Sequence, residues 1–255
     1  MVLDQASAML WLGHFLWPFL RITGLMLTAP LYGSAMVPNA VKAALALALA
    51  ACLALWLPAL PAYPGAPAAA MAAGFGQIAY GALLGMFMQL VIAAISCAGE
   101  VAGLAMGLSF AELTFRDSPG VTPVLYDIMV WAGLLAYMAA GGPIWLFAVL
   151  AHSFDHGIGL PSLMDWAAFS DSGGLLFAGA VTLALPVMAA SLCVNLIVGL
   201  TTVFAPSMNL LSIGFPLLIL AGLWVLAGET PYMGHEAAAL MLAAERDITA
   251  LLRHV

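Results

Sequence analysis

The chain has 255 residues, 65% of them hydrophobic and only 7% charged, and its twelve acidic and five basic side chains give a formal net charge of -7. About a quarter of a typical soluble domain is charged, so this chain cannot cover a water-facing surface, and its apolar excess must face lipid or other apolar chains. A nucleic-acid surface is excluded as well, because it needs clustered Lys and Arg, whereas Arg21, Lys42, Arg116, Arg246 and Arg253 are scattered.

About six long apolar stretches follow one another, near residues 8–31, 43–60, 71–98, 121–150, 175–200 and 210–226. Each reaches or approaches the ~20 residues that a helix needs to cross ~30 Å of hydrocarbon. Helix is the expected structure throughout, since backbone groups in lipid must bond within their own segment. Barrel strands would show as short alternating segments, and the sequence has none. The reading is an all-α membrane protein, one unit over 1–255, with a helical core over about 10–226 and an amphipathic tail over 232–255. No basic stretch precedes the first apolar run, unlike a cleaved signal peptide, so that run is expected to remain in the mature protein.

Between the stretches lie legible connectors. Pro58, Pro61, Pro64, Gly65 and Pro67 form one, and Arg116, Asp117, Ser118, Pro119 and Gly120 form another. The segment 152–172 carries Asp155, Asp165 and Asp171 and is expected in water. Ala205, Pro206 and Ser207 make a short third connector. From Tyr232 onward Leu240, Ala244, Ile248, Leu251 and Val255 share one helical face, which predicts a tail at the membrane surface or against a partner. With six spans, Lys42 and Arg116 fall on one side and Arg246 and Arg253 on the other. The positive-inside rule is therefore tied, and a plain six-span bundle is not what the charges announce.

Gly99, Gly103 and Gly107 recur every four residues and strip one helical face of side chains, which lets another helix approach closely; Gly81 and Gly85 repeat the theme. The partner helix is either internal or on another subunit. Arg21, Glu100 and Asp127 lie within apolar runs, where a charge costs at least ~2.5 kcal/mol on insertion scales. A structural ion pair or a boundary position is a simpler reading than a relay, because no unwound ion-site motif accompanies them. His152 and His156, with Asp155 between them, have a metal-compatible spacing. No further ligand stands near, so they read as interfacial polar residues, with no metal or cofactor expected. Cys52, Cys97 and Cys193 fit no redox or zinc spacing and read as small buried packing residues. No phosphate loop or nucleophile elbow is present, so the chain is not read as an enzyme. Phe110, Leu113 and Phe115 alternate with Glu112, Arg116 and Asp117. An interfacial loop is the simpler account of them; a hydrophobic pore closure is the other.

Several segments also resemble a known family. Trp17-Pro18-Phe19-Leu20-Arg21 leads into Gly24-Leu25-Met26-Leu27-Thr28-Ala29-Pro30, followed by Val37-Pro38 and Val41-Lys42. Then come Gly99-Glu100-Val101-Ala102-Gly103-Leu104-Ala105-Met106-Gly107-Leu108-Ser109-Phe110-Ala111 and Pro123-Val124-Leu125. Ala205-Pro206-Ser207-Met208-Asn209 and Ile213-Gly214-Phe215-Pro216-Leu217 complete the set. In this order, over about residues 10–226, they resemble the FliR-like family of type III export-gate proteins.

That resemblance implies a subunit that assembles with FliP-like and FliQ-like subunits into a helical, cone-shaped export gate. Unfolded flagellar proteins pass through its pore, and FlhB-like and FlhA-like export proteins are further partners. The setting is the bacterial inner membrane within the flagellar basal body. Helices there form bent hairpins, partly raised out of the bilayer, which would account for the tied charge count. The resemblance also implies a pore-plugging loop over about 107–122. Phe110 is its best matched plug residue, Leu113 stands where a second aromatic is often found, and Phe115 comes two residues later. Arg21 and Glu100 match recurrent polar positions and are assigned to helix or subunit packing. Pro206, Asn209, Gly214 and Pro216 would shape the late hairpin. The Gly-Leu-Ser-Phe-Ala and Ile-Gly-Phe-Pro-Leu segments look flagellar rather than injectisome-like. The rival class is a stand-alone small-solute transporter with a midplane polar site using Arg21, Glu100 or Asp127.

Overall fold

The computed structural model describes residues 5–34, 37–57, 60–64, 66–108, 124–155, 166–204 and 210–253. Among these the chain forms seven helices and no strand, as expected for an all-α membrane protein. They are α1 (Gln5–Thr28), α2 (Asn39–Trp56), α3 (Pro67–Ala105), α4 (Val124–Ala139), α5 (Gly142–His152), α6 (Trp166–Phe204) and α7 (Leu210–Arg253). α2 follows Pro38, and α3 begins on Pro67, whose missing N–H costs nothing in a first turn. α3 ends where Gly107 turns left-handed, at φ +76°.

Two expectations need correction. The fourth apolar stretch is not one helix. It breaks at Ala140–Gly141, where Gly141 has φ +73° and Pro143 opens α5. Pro143 has no N–H to give the carbonyl of Ala139, and its ring would crowd that carbonyl. The sixth stretch falls within α7, which begins at Leu210. Four helices among the described residues are long and apolar enough to cross a membrane, or five if the bent α4–α5 pair counts as one. Finally, the segment 152–172 is not wholly a loop, since α6 starts at Trp166. Extending an existing helix costs far less than nucleating one, so α6 grows back through Ala167 and Ala168.

α7 likewise runs on to Arg253 through Ala237, Ala238, Ala239 and Leu240, all strong helix formers. The tail is therefore continuous with α7. Ala237 and Met241 are buried, and Leu240 sits against Gly179 of α6, so part of its apolar face is covered within the chain. α3 and α6, of 39 residues each, are about 58 Å long and α7, of 44 residues, about 66 Å. All three exceed the ~30 Å of hydrocarbon.

The chain divides into two compact units. One holds residues 1–90, 141–172 and 243–255; the other holds 91–140 and 173–242. In the first, α1 lies against α3 backbone to backbone. A Cβ on Gly81 would collide with the Arg21 carbonyl oxygen, and one on Gly24 with that of Ile78. Thr28 Oγ1 donates to the Ala82 carbonyl at 2.7 Å. The 60–64 connector seals the start of α1. Trp17 Nε1 donates to Pro61 O at 3.0 Å and its ring stacks on Tyr63, while Leu60 N–H donates to His14 Nδ1 at 3.3 Å. In the second unit, Ala102, Met106, Leu125 and Val187 form a buried cluster flanked by Leu108, Val225 and Leu226. Outward faces stay apolar, with Leu47, Leu55 and Trp56 exposed on α2 and Leu192, Leu196 and Leu200 on α6.

Candidate functional site

The described polar centre of the first unit is Arg21. Its side chain has 0% exposure although α1 is an apolar helix. Nε donates to Gln77 Oε1 at 2.8 Å and Nη1 to Ser153 Oγ at 2.7 Å. The guanidinium carbon lies 3.9 Å from the centroid of the Phe154 ring and 4.3 Å from that of Tyr80. Three segments supply these groups. Gln77 and Tyr80 lie three apart on α3 and so share a face, while Ser153 and Phe154 belong to the turn that closes α5. Ser153 Oγ also donates to Leu150 O, which fixes its lone pairs toward Arg21.

Taking a charge out of water costs several kcal/mol. Charge-assisted hydrogen bonds and desolvated cation–π contacts, about 2 kcal/mol or more each, offset that cost here. The arrangement holds three chain segments together and leaves the guanidinium enclosed. Glu100 on α3 and Asp127 in the first turn of α4 are exposed instead. Sequence reasoning singled out Arg21 but missed Gln77, Tyr80, Ser153 and Phe154. Gln77 alone gave a signal, as an uncharged polar residue inside an apolar run.

At the end of α3, in the second unit, the glycine row divides into three roles. A Cβ on Gly99 would lie 2.5 Å from Met129 Cγ and 2.7 Å from the Leu125 carbonyl oxygen, so α4 packs on it closely. Gly103 is buried, but a Cβ there would meet Leu125 at an ordinary 3.6 Å. Gly107 is not on the helical face at all. α3 stops at Ala105, and Gly107 is its left-handed end, with its N–H donating to Leu104 O at 3.0 Å. The expected two-turn glycine face is thus one turn long, followed by a cap of the kind helices favour. Met106, beside the cap, is fully buried against Gly222 of α7.

Of the other residues singled out, Gly214 is buried and Pro216 exposed. Phe110, Leu113, Phe115, Pro206, Asn209 and His156 lie outside the described residues. His152 Nδ1 and Asp155 Oδ2 form an exposed pair at 3.3 Å. Cys52 and Cys193 are exposed, contrary to the buried reading, because they lie on the outward apolar faces of α2 and α6; Cys97 is half-buried.

Comparison with known proteins bears on these features together. The family described as bacterial export proteins, family 1, matches residues 12–244. The flagellar biosynthetic protein FliR of Escherichia coli K12 is 37% identical over 226 residues, which cover 87% of this chain and 85% of that protein. The FliR of Pectobacterium carotovorum is 35% identical, covering 85% of this chain and 84% of the relative. The FliR of Aquifex aeolicus is 25% identical with 90% of each chain covered. The match takes in α2 to α6 whole, together with the Arg21 site and the glycine end of α3, and on it the chain belongs to family 1 of the bacterial export proteins, the family of the flagellar biosynthetic protein FliR.

Proposed function

We propose that this chain is a core subunit of the flagellar type III export gate. With FliP-like and FliQ-like subunits it forms the pore through which unfolded flagellar proteins leave the cell, in the inner membrane within the basal body. FlhB-like and FlhA-like proteins are its neighbours in the export machine. The chain does no covalent chemistry. Its work is to line, hold and close a conduit.

The closing element is the loop over about 107–122, with Phe110 as the main plug residue and Leu113 and Phe115 beside it. Bulky apolar side chains in a narrow pore exclude water and with it ions. The observation that carries this reading is the left-handed Gly107. It lies two residues beyond Ala105, the last residue of α3, and the family resemblance begins the plug segment at about the same residue. The buried Met106 and the close Gly99–Met129 contact give that segment a firm root. Glu100, exposed on the same helix, is then a contact for a neighbouring subunit. Pro206, Asn209, Gly214 and Pro216 are assigned by the family resemblance to shaping the late hairpin.

The test has two arms. The tagged chain, purified from flagellated cells, should bring down several copies of two small apolar membrane proteins; recovery as a lone chain would overturn the gate assignment. In the assembled gate, Phe110→Ala with Phe115→Ala should raise ion leak across the membrane. An unchanged leak in a correctly assembled gate would remove the plug role and leave the subunit role standing.

A further inference from the structure

α6 carries an exposed seam. Leu185, Met188, Leu192, Asn195 and Gly199 follow one another in steps of three and four, the spacing at which one helix winds against another, and all five are exposed. A Cβ on Gly199 would have no atom within 4 Å, while Leu192 stands 71% exposed. The seam thus has a ridge at Leu192 and a hollow at Gly199, with Asn195 between them. Asn195 is its one polar side chain. The carboxamide has two donor hydrogens and an acceptor oxygen, and among the described residues none bonds to it. Thr182, also exposed on α6, instead returns its proton to the Ala178 carbonyl at 2.9 Å.

We propose that this seam docks an apolar helix of a neighbouring export-gate subunit, and that this helix offers a neutral hydrogen-bonding side chain (Asn, Gln, Ser or Thr) at the level of Asn195. The inference rests on the gate reading for the presence of a neighbour and adds the chemistry of its contact. Lipid does not match the face at any depth. Asn195 lies five residues inside the end of the 177–200 stretch, which is long and apolar enough to cross a membrane. Where hydrocarbon covers the whole stretch, the amide sits in it, and lipid tails cannot bond it. Where hydrocarbon stops at Asn195, the exposed Leu196, Ile197, Leu200 and Val203 stand outside it. Water fails for the same four residues. A protein helix meets both demands, with small and apolar side chains along the seam and one polar group opposite the amide. That group is neutral, because an amide alone does not offset the cost of burying a charge. A second copy of this chain fits less well. In a parallel twofold pair each residue faces its own image, so ridge meets ridge at Leu192 and hollow meets hollow at Gly199. A different helix can set a small residue on the first and a large one on the second.

The test uses the full tagged chain in flagellated cells, with p-benzoylphenylalanine in place of Leu192. Irradiation followed by purification should give an adduct between this chain and one of the apolar proteins that co-purify with it. Peptide mapping should place the crosslink on an apolar helix, within one turn of an Asn, Gln, Ser or Thr. A crosslinked helix without such a residue overturns the proposal, and so does an adduct with a second copy of the chain. Co-purifying proteins without any protein adduct at Leu192 overturn the proposal and leave the gate reading standing. An unaltered chain recovered alone overturns both. A second arm reads the amide itself. Asn195→Leu keeps the bulk and removes the hydrogen bonds, and it should lower the yield of co-purifying subunits per chain by about threefold to tenfold, the worth of one hydrogen bond between membrane helices. The amount of the chain itself should not change, since Asn195 bonds to none of its described residues. Asn195→Gln keeps an amide and should lose less. Equal losses by Leu and Gln, or no loss with Leu, would remove the hydrogen bond on which the proposal stands.

Discussion

Gly81 of α3 lies against the carbonyl oxygen of Arg21 so closely that no side chain fits between them. The same residue that sends its guanidinium to Gln77 and Ser153 thus offers its backbone to the next helix. Side chain and main chain of Arg21 fix α1 in two directions at once.

Gly81→Ala should be severely destabilising. The atom in the way is backbone and cannot rotate aside, so helix α1 or α3 must shift, at about 3 kcal/mol or more, the upper end for overpacking. Gly222→Ala is the control. The three atoms nearest its Cβ all belong to the flexible side chain of Met106, which can re-rotamer, and the expected cost is about 1 kcal/mol. Thermal unfolding of both variants in detergent gives the comparison; equal losses would show that the two approaches are equally rigid.

Arg21→Met keeps the length and the apolar contacts but removes the donors. Gln77 and Ser153 each lose a buried bond, and each loss costs about 1–3 kcal/mol. Arg21→Lys should recover little, because a single ammonium has no planar fork to span Gln77 and Ser153 while packing on the rings of Tyr80 and Phe154. Chain abundance in the membrane and the unfolding midpoint measure both. Full recovery by lysine would mean that charge alone is required.

Gly107→Ala places a side chain on a left-handed residue, at a cost of about 1–2 kcal/mol. Since this residue ends α3, the strain falls on the root of the following segment. The expected outcome is a gate that assembles in normal amount but leaks ions, read by membrane conductance.

Tyr32 lies in the turn after α1, where burial raises its phenol pKa above the ordinary value. The folded chain therefore favours the neutral phenol. Its contribution is intact below about pH 10, the unfolded value, and is lost as pH rises through the higher folded value. Tyr32→Phe should flatten that alkaline decline. Alkaline unfolding curves of the two proteins decide it.

Much of the architecture was legible in the sequence because so few charges leave helix as the only way to satisfy an apolar backbone. The break at Gly141 was missed because hydropathy runs unbroken across it, although Gly141, Gly142 and Pro143 spell it out in the sequence. Arg21 was visible as a charge in the wrong place, but its partners lie 56 and 132 residues away, and no local spacing records such contacts. The glycine row misled in a different way. A repeat of four predicts a shared face only while the helix lasts, and at Gly107 the same residue type that permits close packing also permits the helix to stop. The continuation of α7 to Arg253 was hidden by its charges, which mark a change of surroundings and not of backbone.

The elbow at Gly141 separates how this stretch is made from how it ends. α4 has 16 residues and α5 has 11, and neither alone is long enough to cross hydrocarbon. An insertion machinery that scores greasiness reads the two as a single passage. The bend is set by residues 141–143, and what keeps α5 in place is Arg21, made more than a hundred residues earlier. Hydropathy therefore reads one passage where the backbone makes two arms, and the contact that holds the second arm comes from the far end of the sequence.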